Sequence, residues 1–187
     1  LGLAEKEVAA RVERAMEWCG LPREVANRSP FRLSGGEMRR AAIAGVLAME
    51  PRILLLDEPT AGLDPAGRRE LLERIRTLHR ERGMGVVLVT HNMDEVARYA
   101  DLLLVLSEGR CVFSGTPSRL FAQGERLVKW GLDLPETVQL VRMLNTRLNP
   151  PLPPDLFTVD ALEVELVRRR RLSGISGQGS ISAVRDG

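Results

Sequence analysis

The sequence predicts an α/β fold with a parallel sheet, and three observations support this. Amphipathic helical segments alternate with short apolar runs over roughly the first 115 residues, the pattern of an α/β sheet. The apolar runs are strand-sized and lie near Ile53–Leu56, Gly85–Val89 and Leu102–Leu106. With 187 residues, 44% hydrophobic and 28% charged, the chain is long enough for one domain with a real core and a small appendage.

The first predicted element is an amphipathic helix over residues 4–18. Val8, Val12 and Ala15 recur at helical spacing, and Gly20-Leu21-Pro22 closes the segment. A second helix is predicted to begin at Ser34 and to run to about Met49.

The strand that follows, predicted over residues 52–57, is a continuous apolar run. We expect it to be buried on both faces, as parallel strands usually are. Asp64-Pro65 then predicts an N-cap followed by proline in the first helical turn, and Gly83 ends that helix. Residues 85–90 are predicted as a second buried strand.

The rest of the chain is predicted to be mainly helical. The expected segments are a helix from 92–95 to about Tyr99, a strand pair at 102–106 and 110–113, helices at 116–129, 135–145 and 158–172, a stiff proline-rich linker at 149–154, and a disordered Gly/Ser-rich tail from Ser173.

Ser34-Gly35-Gly36-Glu37 carries two interpretations that share one geometry. As structure, it is a capping box, in which Ser34 caps the helix and Glu37 reaches back. As function, a helix N-terminus with free N–H groups and two glycines lets a phosphate approach closely, and Ser34 adds a hydroxyl donor.

Acidic and imidazole side chains follow the two predicted strands. Asp57 and Glu58 end the first strand, where we expect a buried carboxylate pair that needs a cation or partners. Asp57 suits Mg²⁺, directly or through water, and Glu58 suits a general base for an attacking water. His91 follows the second strand and is expected near the same edge. Asp64 has a structural role as N-cap that coexists with a ligand role.

Together these motifs resemble the second half of an ABC-type ATPase domain, a P-loop NTPase. Leu33–Glu37 is similar to the signature motif, Ile53–Asp57 to the Walker B strand with Glu58 as its glutamate, Ala61–Asp64 to the D-loop and His91 to the switch histidine. The resemblance implies ATP and Mg²⁺ as cofactors, Asp57 as the Mg²⁺ ligand, and Glu58 and His91 as catalytic residues.

In this family two ATPase domains meet head to tail, which implies a second ABC ATPase subunit as partner. Ser34, Gly35, Gly36 and Glu37 would then contact nucleotide held mainly by the partner. The resemblance also implies Asp64 as a nucleotide-binding residue. Asp57, Glu58 and His91 would serve nucleotide held by their own domain.

The flanking segments narrow the resemblance to energy-coupling-factor (ECF) and cobalt-type transporter ATPases. Leu1-Gly2-Leu3 before a charged helix, Ser114–Pro117 and Gly131–Pro135 carry this similarity. It implies a transmembrane coupling subunit, a substrate-capture membrane subunit, a vitamin or cobalt/nickel cargo, and a peripheral location at the cytoplasmic face of the cell membrane. The net charge of +2 argues against a nucleic-acid partner.

The resemblance predicts four segments of the chain. These are part of a helical signature subdomain at 1–50, the C-terminal half of the ATPase core at 51–116, a small helical extension at 117–172 with dimerisation as a candidate role, and the tail at 173–187.

The sequence contains no Gly-Lys dipeptide and therefore no G-x-x-x-x-G-K-[ST] phosphate loop. We expect a fragment of a longer ATPase that hydrolyses ATP negligibly by itself. Two alternatives stay open: a fragment of a soluble ABC ATPase, and a non-catalytic half-domain that binds an intact ABC ATPase.

Overall fold

The computed structural model describes residues 2–172, which fall into two compact units that meet in sequence between His91 and Asn92. The tail from Ser173, predicted to be disordered, lies outside the described residues. The helices and strands are, in chain order, α1 Glu5–Trp18, α2 Gly35–Leu47, β1 Ile53–Asp57, α3 Pro65–Arg82, β2 Gly85–Val89, α4 Met93–Tyr99, β3 Leu103–Ser107, β4 Arg110–Gly115, α5 Pro117–Phe121, α6 Glu125–Lys129, α7 Glu136–Asn145 and α8 Val159–Leu172.

The first unit combines the α1–α2 helix pair, α3 and a parallel strand pair. β1 and β2 pair in register from Ile53 opposite Gly85 to Asp57 opposite Val89. Asp64 caps α3, and Gly83 ends it in the left-handed conformation with φ of 62°. The prediction of an α/β fold is confirmed.

The predicted burial of both faces of the strands is wrong for β1. Leu54 and Leu56 are buried, whereas Ile53 and Leu55 each keep 67% of their surface exposed. Side chains alternate across a strand, so covering one face buries only every second residue. Val87 and Val89 of β2 are also exposed. The described part of this unit thus carries a sheet with one uncovered apolar face.

The second unit pairs the antiparallel strands β3 and β4 with short helices. Its core gathers buried side chains from the hairpin, α5, α6 and α7, namely Val105, Phe113, Leu120, Phe121, Leu127 and Val138. The helix predicted over 116–129 is instead two helices, α5 and α6. Gly124 separates them with φ of 41°, and a Cβ there would lie 2.9 Å from the Arg142 guanidinium.

The proline-rich segment at 149–154 packs against its own unit, contrary to the linker prediction. Leu152 is buried, and the Asn145 side chain bonds both its N–H, at 2.6 Å, and its carbonyl, at 3.0 Å. Arg169 of α8 donates to the carbonyl oxygens of Pro150 and Pro151, at 2.6 Å each. These bonds tie α7, the proline-rich segment and α8 together.

Glu165, which lies in α8, stabilises the contact between α8 and the proline-rich segment. Its carboxylate accepts hydrogen bonds from Arg168 at 2.7 Å and from Arg169 at 2.8 Å, and its side chain is only 10% exposed. Hydrogen bonding from Arg168, then from Arg169, lowers the pKa of Glu165 to about 2. Ionised Glu165 thereby orients the arginine that binds the proline carbonyls.

We predict that Glu165 makes the stability of the second unit depend on pH. The pKa of Glu165 is about 4.5 in the unfolded chain and about 2 in the folded protein. The contribution of Glu165 to the free energy of unfolding is therefore full above pH 4.5 and is lost as the pH falls through 2. Glu165→Gln should therefore lower Tm at pH 7, and the difference from wild type should vanish near pH 2. Thermal unfolding followed by circular dichroism measures this.

The matched control is Glu163→Gln, an exposed carboxylate on the same helix. It should leave Tm nearly unchanged at pH 7. An equal Tm for wild type and Glu165→Gln at pH 7 would contradict the role assigned to Glu165.

Candidate functional site

The parallel pairing of β1 and β2 brings Glu58 and His91 together at one sheet edge. The Glu58 N–H donates to the Val89 carbonyl at 3.0 Å and so extends the strand pairing by one residue. The His91 backbone N–H lies 3.2 Å from Glu58 Oε1, and the His91 ring Nδ1 lies 2.7 Å from the same oxygen. The expectation that the two residues share an edge is confirmed.

Glu58 turns the chain sharply at the end of β1. Its φ of 45° lies in the left-handed region, which costs a non-glycine residue about 1–2 kcal/mol. The carbonyl of this turn accepts hydrogen bonds from the Ala61 N–H, at 3.2 Å, and from Arg39 Nη1, at 2.5 Å. Backbone strain of this kind persists where surrounding contacts over-determine it, and it is concentrated at functional sites.

The two carboxylates are more accessible than the sequence suggests. Asp57 is exposed and the Glu58 side chain is 35% exposed, so the expected buried carboxylate pair is not found. β1 ends at the surface of its unit, where water solvates both groups. The His91 side chain is 85% exposed. All three side chains are thus at least partly accessible at the surface of the first unit.

The side chains around Asp57 limit the kind of metal site that this residue can form. Within residues 2–172 no group of three or more His, Cys, Asp or Glu side chains is placed to hold a metal ion. Mg²⁺ often takes only one or two carboxylates and completes its shell with water and phosphate oxygens. Asp57 fits such a shared ion as a single protein ligand, and it does not fit a metal held by protein alone.

The N-terminus of α2 forms the predicted capping box. The Ser34 N–H donates to Glu37 Oε2 at 2.8 Å, and the Glu37 N–H donates to Ser34 Oγ at 3.2 Å. The bond from the Ser34 backbone N–H lowers the pKa of the Glu37 carboxyl, aided by Arg28. The capping prediction is confirmed. The two hydrogen bonds of the capping box fix the orientation of the first turn of α2.

The same turn leaves donors for a ligand. In the part of the chain that the structure describes, the amides of Gly35 and Gly36 have no hydrogen-bond acceptor. A Cβ built on Gly35 would meet no atom within 4 Å, whereas one on Gly36 would lie 3.4 Å from the Leu63 side chain. Free amides at a helix N-terminus beside open space fit a phosphate group.

Asp64 is a helix cap in the structure. Its Oδ1 accepts the Gly67 N–H at 2.6 Å, and the residue is exposed at the start of α3. Arg68 Nε donates to the Leu63 carbonyl at 2.9 Å and fixes the preceding turn. The structural role is confirmed, and the role of Asp64 at a nucleotide stays a prediction.

Two contacts link α2 to the turn after β1, and sequence reasoning found neither. Arg39 reaches the Glu58 carbonyl, and Leu63 lies against Gly36. A bond from a side chain to a backbone carbonyl leaves no pattern in residue type or spacing. The only sequence signal for Arg39 is its place two residues after Glu37, the last residue of the capping box.

Comparisons with known proteins agree with the motifs. Residues 2–61 match a family model described as ABC transporter. The chain is 48% identical over 171 residues to the energy-coupling factor transporter ATP-binding protein EcfA2 of Caldanaerobacter subterraneus, with 91% of this chain and 59% of the relative covered. The EcfA2 protein of Bacillus subtilis is 43% identical over 165 residues, covering 88% of this chain and 60% of the relative. The chain thus spans about three-fifths of the length of these relatives.

Solved structures give the same picture. CbiO1 from Clostridium perfringens, described as part of the ABC transporter complex cbiONQ, matches with a TM-score of 0.61 and 36% identity over 80% of this chain and 54% of that one. A bacterial ABC transporter cassette solved as a dimer matches with a TM-score of 0.57 and 32% identity over 63% of this chain and 50% of that one.

We predict that the Ser34 hydroxyl stabilises the first unit apart from any ligand role. Ser34→Ala removes the acceptor of the Glu37 N–H and should cost about 1 kcal/mol in the free energy of unfolding. Ser34→Thr keeps a hydroxyl and serves as the matched control, with a loss under about 0.5 kcal/mol. Urea unfolding measures both variants, and equal stability of Ala and Thr would contradict the capping role.

Proposed function

The chain contains part of an ABC transporter ATPase domain, and we propose that it belongs to the ATP-hydrolysing subunit of an ECF-type importer. The observation that carries the proposal is the contact between Glu58 and His91 beside an exposed Asp57. Similarity to two EcfA2 proteins, at 43% and 48% identity, supports the choice of transporter class.

Each side chain has a distinct task in this proposal. Glu58, in the turn that ends β1, orients a water molecule and accepts a proton from it. His91 holds the Glu58 carboxylate through its ring and its amide. When bound, ATP with Mg²⁺ supplies the phosphoryl group and the charge neutralisation, with Asp57 as the protein ligand of the ion.

The N-terminus of α2 would serve a different nucleotide from the one that Glu58 serves. We assign the Gly35 and Gly36 amides and the Ser34 hydroxyl to the phosphates of ATP held by a second ATPase subunit, arranged head to tail. Dimeric ABC cassettes among the similar structures support this pairing. Glu37 acts indirectly, by fixing the turn through the capping box.

The partners and the cargo follow from the transporter class. We propose a transmembrane coupling subunit and a substrate-capture membrane subunit, with a vitamin or a transition-metal ion such as cobalt or nickel as cargo. CbiO1, which is described as part of an ABC transporter complex, supports association with other subunits. None of the helices within residues 2–172 has the length and apolar character needed to cross a bilayer. A peripheral place at the cytoplasmic face of the membrane fits the class.

These 187 residues contain no G-x-x-x-x-G-K-[ST] segment, so we propose that they do not hydrolyse ATP at a useful rate by themselves. A non-catalytic module that binds an intact ATPase is the second candidate. The unpaired Gly35 and Gly36 amides favour it, because they can bind a phosphate that another chain holds. Nucleotide-dependent association without turnover would distinguish it.

Glu58→Gln tests the proposed function directly in the full-length protein with its partners. The amide keeps the shape of the side chain and removes the base, so ATP turnover should fall at least about a hundredfold while ATP binding persists. Glu73→Gln, an exposed carboxylate on α3, is the control and should leave turnover unchanged. Steady-state phosphate release and equilibrium nucleotide binding provide the two readouts. Wild-type turnover in Glu58→Gln would contradict the assignment of Glu58 as the general base.

A further inference from the structure

Arg39 is a part-buried residue of α2 that contacts the turn at Glu58. It lies five residues after Ser34, about one and a half turns along the helix. Its Nη1 donates to the Glu58 carbonyl oxygen at 2.5 Å. The contact joins two segments that are 19 residues apart in sequence. None of the sequence motifs assigns a task to this side chain.

The contacts around Glu58 leave its backbone and carboxylate little freedom. The N–H is bound to the Val89 carbonyl, the carbonyl accepts from Ala61 and Arg39, and the carboxylate accepts from the amide and ring of His91. The Ala61 bond lies within the turn itself, and the Val89 and His91 bonds come from the β2 side. Arg39 is thus the contact to Glu58 that comes from α2.

The hydrogen bond from Arg39 to the Glu58 carbonyl affects the orientation of the Glu58 side chain. The direction of the Cα–Cβ bond is fixed when the peptides on both sides of a residue are held in place. At Glu58 the preceding peptide is held through its N–H, and the following peptide is held through the Glu58 carbonyl, whose rotation would change ψ. A carbonyl held by two donors resists that rotation. The guanidinium is permanently charged, so its hydrogen bond to a neutral carbonyl is stronger than one between neutral groups.

We infer that Arg39 is a positioning residue for Glu58, which holds the carboxylate in its working direction by fixing the peptide that follows it. This inference rests on the proposed function. The Arg39 contact also makes α2 the physical link between two nucleotide sites. The same helix offers Gly35 and Gly36 to one nucleotide and holds the glutamate that acts at the other. Movement of the α2 N-terminus is then transmitted to Glu58 through the Arg39 side chain.

The test compares two variants of similar shape in the full-length protein with its partners. Arg39→Met keeps the apolar stem and removes the donor, whereas Arg39→Lys keeps a charged donor. We expect kcat to fall about tenfold in Arg39→Met with KM for ATP within about twofold of wild type. Arg39→Lys should recover to within about threefold of wild-type kcat. Arg69→Ala, at an exposed arginine of α3, is the control and should match wild type.

Amide hydrogen exchange gives a readout that does not depend on turnover. The His91 N–H donates to the Glu58 carboxylate, so its exchange should quicken in Arg39→Met. The Glu37 N–H is held by Ser34 within α2, so its exchange should not change. A general loss of folding would quicken both amides, and Arg39→Lys would then decide the question through its kcat.

Three outcomes overturn the inference. Wild-type kcat in Arg39→Met does so, as do equal losses in the Met and Lys variants, and unchanged exchange at His91 in Arg39→Met. Failure of the proposed function has a different signature: Glu58→Gln would then keep wild-type turnover, whatever the Arg39 variants do. Loss in Glu58→Gln together with wild-type behaviour in Arg39→Met would reject the positioning role alone.

Discussion

The parallel pairing of β1 with β2 is the constraint on which the candidate site depends. Because Asp57 lies opposite Val89, the two strands end together and the residues that follow them are held side by side. The Glu58 N–H continues the pairing, and the chain then turns through a left-handed residue whose carboxylate meets His91. A shift of one residue in this register would separate Glu58 from both partners. The contacts of Arg39 and Ala61 act on a turn whose position the strands have already set.

Local patterns predicted the elements and their caps well, since their causes lie within a few residues of each other. Ser34 with Glu37, Asp64 with Pro65, and Gly83 each act through their own backbone neighbourhood, and each behaves as the sequence indicates. The motifs at 33–37, 53–58 and His91 likewise sufficed to identify the family, which the comparisons confirm. The assignment of individual residues to nucleotide and metal stays a prediction.

Features that depend on packing between distant segments were not predictable. The exposure of Ile53, Leu55 and Asp57 depends on which faces of the strand pair other segments cover, and an apolar run does not reveal this. The break at Gly124 follows from a left-handed residue next to the Arg142 guanidinium. The bond from Arg39 to the Glu58 carbonyl also spans distant segments. Each of these features depends on a second segment that is distant in sequence, whereas secondary-structure propensity describes one segment at a time.

We propose that this chain contributes residues to two different nucleotide sites, with Gly35 and Gly36 facing one nucleotide and Asp57 and Glu58 facing the other. An experimental structure of the assembled complex with Mg²⁺ and a non-hydrolysable ATP analogue tests it most directly. We expect the Gly35 and Gly36 amides to lie within hydrogen-bond distance of phosphates held by a second ATPase subunit, while Asp57 and Glu58 face another nucleotide. A single nucleotide contacted by both sets of residues, or phosphates remote from the α2 N-terminus, would contradict it.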